Sequence, residues 1–213
     1  MKLFILDFDG TIADTQGLIV RTMMQTIEML GLESRSTDEC ARMIGLPLKQ
    51  TFTELIPMSD SMGEKCAETY TRLFHANNTA DAVTLFPNVV ETIRELHSRG
   101  CKVTIASSRS KPSLMEFIDR FGLGALIAYV VSADDVVNAK PHPEPVLATL
   151  DYLGMDACDA VVVGDTSFDI LMGKRAGCMT CGVSYGNGSV ESLQDAGADI
   201  IINDFKALAE LGA

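Results

Sequence analysis

The sequence predicts an α/β protein: a parallel sheet with helices on both faces, plus a small helical unit inserted after the first strand. Three observations predict it. Leu3 to Leu6 is an apolar run too short for a helix and suited to a strand buried on both faces. From about Leu85 to the end, strand-length apolar runs alternate with helical patterns, as in parallel sheets whose crossovers are helices. Between these two regions roughly 70 residues read as helical with no strong strand signal.

In chain order, the first strand ends at Asp7-Phe8-Asp9-Gly10-Thr11, where Gly10 frees the chain to turn. Leu18 to Leu30 places Ile19, Met23, Ile27 and Leu30 on one helical face, and Gly31 stops it. Thr37 to Ile44 is a short helix capped by Ser36 or Thr37 and closed by Gly45 and Pro47. Leu48 to Ile56 and Gly63 to His75 continue the helical pattern, and Asn77 to Asp81 is a linker. A helix opens at Pro87-Asn88 and stops at Gly100; a strand follows at Val103 to Ala106, then a helix from Pro112 or Ser113 to about Gly122. Strands at Tyr129 to Ser132, Ala160 to Val163, Thr180 to Ser184 and Asp199 to Ile202 alternate with helices at Pro143 to Leu153 and Asp169 to Ala176, and Phe205 to Leu211 closes the chain. The expected division is a Rossmann-like core of residues 1–14 and 82–213 with a helical cap of residues 15–81.

Composition narrows the function. A net charge of −12 argues against a nucleic-acid or anionic-membrane surface. No apolar stretch approaches the roughly 18 residues of a membrane span, and Asp7 and Asp9 interrupt any signal-like start. Six scattered cysteines then read as reduced thiols of a cytoplasmic protein. Cys178 and Cys181 have metal-like spacing but no second pair, and they fall where a buried strand is expected.

Asp7 and Asp9 stand at i and i+2, so an extended backbone puts both on one face. Two such acids repel unless one holds a proton or a cation sits between them, and a hard divalent cation such as Mg²⁺ meets that need. In an open parallel sheet ligands bind beyond the carboxyl ends of the strands. Those ends carry Asp7 and Asp9, then Ser107, then Gly164-Asp165 with Asp169 a turn later, while Lys140 lies in a loop stiffened by three prolines. Acids, a hydroxyl and an ammonium at one sheet edge suit phosphoryl transfer, whose transition state spreads charge over the non-bridging oxygens. One carboxylate can be the nucleophile and a second the general acid and base, and Asp7 and Asp9 are the natural pair.

These residues resemble the haloacid dehalogenase superfamily over the whole chain. Asp7-Phe8-Asp9-Gly10-Thr11, Val103 to Ser107, Lys140 before Pro141, and Gly164-Asp165-Thr-Ser-Phe-Asp169 match its four motifs in order. The resemblance implies that Asp7 is the nucleophile and a metal ligand. It implies that Asp9 is the acid/base, with its backbone carbonyl on the metal. By the same resemblance Ser107 binds the phosphoryl group, Lys140 neutralises charge, Asp165 ligates Mg²⁺, Asp169 supports that site and Thr11 shapes the first loop. Asp9 points to phosphate esters, because the dehalogenase and phosphonoacetaldehyde hydrolase branches lack an acid at this position. The β-phosphoglucomutase branch usually carries a histidine twelve residues after its nucleophile, where this chain has Ile19. The stretch Met43 to Phe52 and the Phe86-Pro87 pair look most like phosphoglycolate phosphatases and their pyrophosphatase relatives.

The expected activity is Mg²⁺-dependent hydrolysis of a small phosphorylated metabolite, phosphoglycolate-like, through an aspartyl phosphate. The expected protein is a monomer or homodimer without nucleic-acid or membrane partners. Arg42 and Lys49 are candidates for a second anionic group of the substrate or are ordinary surface charges. Beside Ser107, Ser108 is a further candidate for binding substrate, and Arg109 and Lys111 either meet phosphate or stay solvated. A pyrophosphatase, a phosphomutase passing the phosphoryl group to a sugar hydroxyl, and a non-enzymatic phospho-acceptor module are the rivals.

Overall fold

A computed structural model describes residues 1–212 of the chain. Its main sheet has six parallel strands: β1 (Leu3–Leu6), β4 (Lys102–Ala106), β5 (Tyr129–Val131), β6 (Ala160–Gly164), β7 (Met179–Val183) and β8 (Ile200–Ile202), in the spatial order β5-β4-β1-β6-β7-β8. All four residues of β1 are buried, as its uninterrupted apolar run requires in a central strand. Phe4 and Leu6 face a large core shared with Ile93, Leu96, Leu114 and Phe117; Leu3 and Ile5 face a smaller one with Val146, Leu150, Val162 and Met172. Helices α5 (Val89–Ser98) and α6 (Lys111–Arg120) cover the first face, and α7 (Glu144–Leu153) and α8 (Ser167–Arg175) the second. From β1 the chain order runs one way through β4 and β5 and the other way through β6, β7 and β8, so the order reverses at β1.

Two short strands, β2 (Ala13–Asp14) and β3 (Thr84–Leu85), pair antiparallel, with Ala13 opposite Leu85 and Asp14 opposite Thr84. The chain between them forms α1 (Gln16–Met29), α2 (Thr37–Ala41), α3 (Leu48–Leu55) and α4 (Asp60–Asn77). Ser36 caps α2 in a reciprocal capping box with Glu39, and Ser59 caps α4 by accepting from Met62 N. α4 packs against α1 and α3, and its Tyr70 and Phe74 join the core that also holds Phe8 and Phe117. Two-residue strands carry no readable period, so the ribbon was absent from the sequence expectation, as was α9 (Val190–Asp195). The final segment is a short 3₁₀ turn at Phe205–Ala207 followed by α10 (Leu208–Leu211), where one helix was expected. The six cysteines are all free, and five are buried. Among the described residues no helix is long and apolar enough to cross a membrane.

Candidate active site

Three neighbouring strand ends supply the site. Asp7 follows β1, Ser107 follows β4 and Asp165 follows β6; these strands lie side by side in register, so their ends meet. The backbone N–H of Asp7 donates to Val163 O at 2.8 Å, which holds Asp7 beside the end of β6.

Asp7, Asp165 and Asp169 form a buried group in which one oxygen of each lies within 4.8 Å of the others. Lys140, only 4 % exposed, reaches into it: its ammonium donates to Asp7 Oδ1, and to Asp169 Oδ1 at 2.7 Å. Asp169 is also the helix-start acid of α8, because its Oδ2 accepts from Thr166 N at 3.1 Å and Thr166 Oγ1 at 2.7 Å. Asp165 accepts from Thr11 Oγ1 at 3.1 Å, and from Asn187 N and Nδ2 at 2.7 and 2.8 Å. Asn187 and Tyr185, whose hydroxyl donates to Thr11 O at 3.0 Å, come from the loop after β7 and were missed in the sequence. The only local signal there is the Gly186-Asn187-Gly188 turn.

Gly10 lets this cluster close. Its φ is +83°, and a Cβ there would lie 2.1 Å from Asp165 Oδ2 and 2.2 Å from Asn187 Nδ2. Burial shifts the protonation of the group. Asp7 is held well above the usual carboxylate range by burial, which outweighs the opposing pull of Lys140, and Asp169 and Asp165 add repulsion. Asp165 is pushed up to about 7, by burial first and then by Asp169. Lys140 is raised despite its burial, because Asp169 and Asp7 favour the ammonium. Three close, desolvated carboxylates with an all-oxygen donor set fit a hard divalent cation, which would remove the repulsion and the excess protonation together.

Asp9 turns away from this cluster. Thr15 Oγ1 donates to its Oδ1 at 2.6 Å, and Arg109 donates from Nε at 2.9 and 2.8 Å and from Nη2 at 2.6 Å. The Arg109 guanidinium sits over the rings of Phe74 and Phe117 at 4.9 and 4.8 Å, and Phe8 lies at 5.8 Å. Arg109 is not solvated: its side chain pairs with Asp9 in the cavity wall. Lys111 instead pairs with Asp135 at 2.8 Å at the surface.

Ser107 is buried, and its Oγ accepts from Arg109 N at 3.2 Å. Ser108 Oγ donates to Gly45 O at 2.6 Å, joining the loop after β4 to the loop between α2 and α3. Arg42 and Lys49 are not brought to the site. Arg42 is exposed, and Lys49 pairs with Asp60 at 2.6 Å and Glu64 at 3.2 Å. Arg42 stands at the C-cap of α2, and Lys49, in α3, meets two acids of α4.

A cavity of about 240 Å³ opens on Asp7 and Asp9, between the sheet edge and α1, α3 and α4. Ile19, Met23, Tyr70 and Phe74 wall its helical side, and Ser108 and Arg109 lie on the core side.

The family described as haloacid dehalogenase-like hydrolase matches residues 4–183. The probable phosphatase IndB of Dickeya dadantii is 32% identical over 206 residues, covering 95% of this chain and 90% of that protein. The pyrophosphatase PpaX of Bacillus pumilus is 33% identical over 211 residues, covering 98% and 95%. Among solved structures, a haloacid dehalogenase-like hydrolase from Bacteroides fragilis superposes with a TM-score of 0.92 at 24% identity, over 97% of this chain and 99% of that one.

Proposed function

We propose that this chain, which belongs to the haloacid dehalogenase-like hydrolases, is a Mg²⁺-dependent phosphatase acting on a small phosphate monoester in the cytoplasm. One observation carries the reading: Lys140 is buried between Asp7, at the end of β1, and Asp169, in the first turn of α8, beside the carboxylate of Asp165. Buried charge at this density is costly, and a phosphoryl group with a divalent cation is the ligand that would complete it.

In this reading an Asp7 oxygen attacks phosphorus in line, forming the aspartyl phosphate as the ester P–O bond breaks. Asp9 gives its proton to the departing alkoxide. It then takes a proton from a water that attacks the same phosphorus, releasing phosphate and restoring Asp7. Arg109 and Thr15 fix the direction of the Asp9 carboxyl. Lys140 and Ser107 hold the transferring group's oxygens, and Lys140 neutralises Asp7. Asp7 and Asp165, with the backbone carbonyl of Asp9, are the candidate Mg²⁺ ligands. Asp169, whose second oxygen is taken by Thr166, anchors Lys140 beside them. When bound, Mg²⁺ offsets negative charge on the phosphoryl oxygens and on the carboxylates. The helices between β2 and β3 act as a cap that shields the site during transfer.

Pyrophosphate is the second reading, favoured by the names of relatives such as PpaX. The test is phosphate release from a panel of monoesters and pyrophosphate, with Mg²⁺ and with chelator, beside Asp7→Asn. Chelator-sensitive release that is lost in Asp7→Asn supports the phosphatase. No release, with Mg²⁺ binding intact, would shift the reading to a phosphomutase or a phospho-acceptor module; Ile19 in the cavity wall already disfavours the mutase.

A further inference from the structure

We infer that the leaving group is a small, uncharged, largely apolar alcohol and not one bearing a second anion, an inference that rests on the phosphatase reading above. The cavity over Asp7 and Asp9 is walled on its helical side by Ile19, Met23, Met43, Leu46, Tyr70 and Phe74. An anionic leaving group, such as a carboxylate or a second phosphate, needs a cation or several N–H donors to replace its hydration. None comes from the helices: Arg42 is exposed outside the cavity, and Lys49 is spent on Asp60 and Glu64. The one arginine in the wall, Arg109, is already engaged by Asp9 and enclosed by aromatic rings. His75 is solvent-exposed at the rim, and Asp134 adds a like charge on the core side.

Apart from exposed His75, the polar side chains that the helices offer are the hydroxyls of Tyr70, Thr51 and Thr71; Thr51 already bonds Pro47 O at 3.2 Å and Thr71 bonds Ala67 O at 2.8 Å. The helical side of the wall therefore rewards apolar surface, and the hydroxyls of Tyr70, Ser110 and Ser113 offer neutral hydrogen bonds in place of a cation. The cavity, at about 240 Å³, is also small. Pockets for drug-sized ligands run to about 300–1,000 Å³, so a leaving group of a few carbons fits better than a nucleoside.

The test compares butyl phosphate with its ω-carboxylate analogue of equal chain length, whose leaving alkoxides are of similar basicity. Phosphoglycolate and pyrophosphate are run beside them, all with Mg²⁺ and with chelator. The expected kcat/KM favours butyl phosphate over each anionic compound by about tenfold or more. Met23→Lys and, independently, Leu46→Lys place an ammonium in the wall and should narrow or reverse that ratio, with melting curves showing which variants are folded. Wild-type preference for the carboxylate or for pyrophosphate would overturn the inference and leave the phosphatase standing. So would an unchanged ratio in a folded lysine variant. No chelator-sensitive release from any compound would overturn both.

Discussion

Chelating divalent cations should make this protein lose stability as pH rises through neutrality. The effect can be sized from Asp165. Its carboxyl is fully buried and titrates at about 7, whereas in the unfolded chain it would titrate near 3.9. Below the unfolded value both states hold the proton and no penalty exists. Between the two values the unfolded chain has ionised while the folded one keeps its proton, so folding is progressively disfavoured as pH rises. The difference of about three pKa units corresponds to about 4 kcal/mol lost by the time pH passes the folded value. Asp7, raised for the same reason of burial, acts in the same direction. The acids held low at the surface, Asp199 and Asp204 among them, lose their contribution only as pH falls below the ordinary carboxylate range, and raised Lys140 acts only in strong alkali. The window from about pH 5.5 to about pH 8 covers the upper half of that loss, about 2 kcal/mol from Asp165, and Asp165→Asn is the control for other groups that titrate there. Urea unfolding with EDTA should give a lower midpoint at the higher pH. Mg²⁺ at about a hundred times its dissociation constant should restore about 2.7 kcal/mol there. Asp165→Asn should flatten the slope. An EDTA-treated protein as stable at the upper pH as at the lower, or one indifferent to Mg²⁺, would refute the reasoning.

Lys140→Met should abolish most phosphate release and cost about 3–5 kcal/mol in urea unfolding, since Asp7 and Asp169 would lose their buried partner. Gly10→Ala should weaken Mg²⁺ binding about 10–100-fold by calorimetry, because the new Cβ must displace Asp165 and Asn187. Arg109→Lys should lower kcat about a hundredfold with less change in KM, since the lost fork frees the Asp9 carboxyl from its set direction. An equal loss in KM would instead mean that Arg109 touches the substrate.

The sheet and the meeting of Asp7, Asp165 and Asp169 were legible because each follows from a local pattern, and Lys140 joins them from its proline-stiffened loop. A buried run ends in a polar residue, and parallel strands in one sheet end at the same edge. What was illegible depends on side-chain direction. Arg109 is one residue from Ser108, yet its partner is fixed by where Phe8, Phe74 and Phe117 leave a slot, and Phe74 comes from a helix far away in the chain. Lys49 looked free because Asp60 and Glu64 become neighbours only when α3 packs on α4. Asn187 lies on a loop whose composition announces a turn but not which carboxylate it will meet.

The ribbon of β2 and β3 has a consequence for how such a chain can vary. Because Ala13 stands opposite Leu85 and Asp14 opposite Thr84, the two ends of the helical insertion leave the sheet side by side. The covalent path of the insertion passes through this one socket, while Phe74 and Gly45 reach across to Phe117 and Ser108. The insertion's length and helix count should be able to change without altering the path of β1, provided a replacement refills the space Phe74 occupies beside Phe117 and Arg109. A turn joining residues 14 and 84 would close the socket with nothing in it. Grafting a different set of helices onto this ribbon should change what the cavity admits while the carboxylates beneath keep their places.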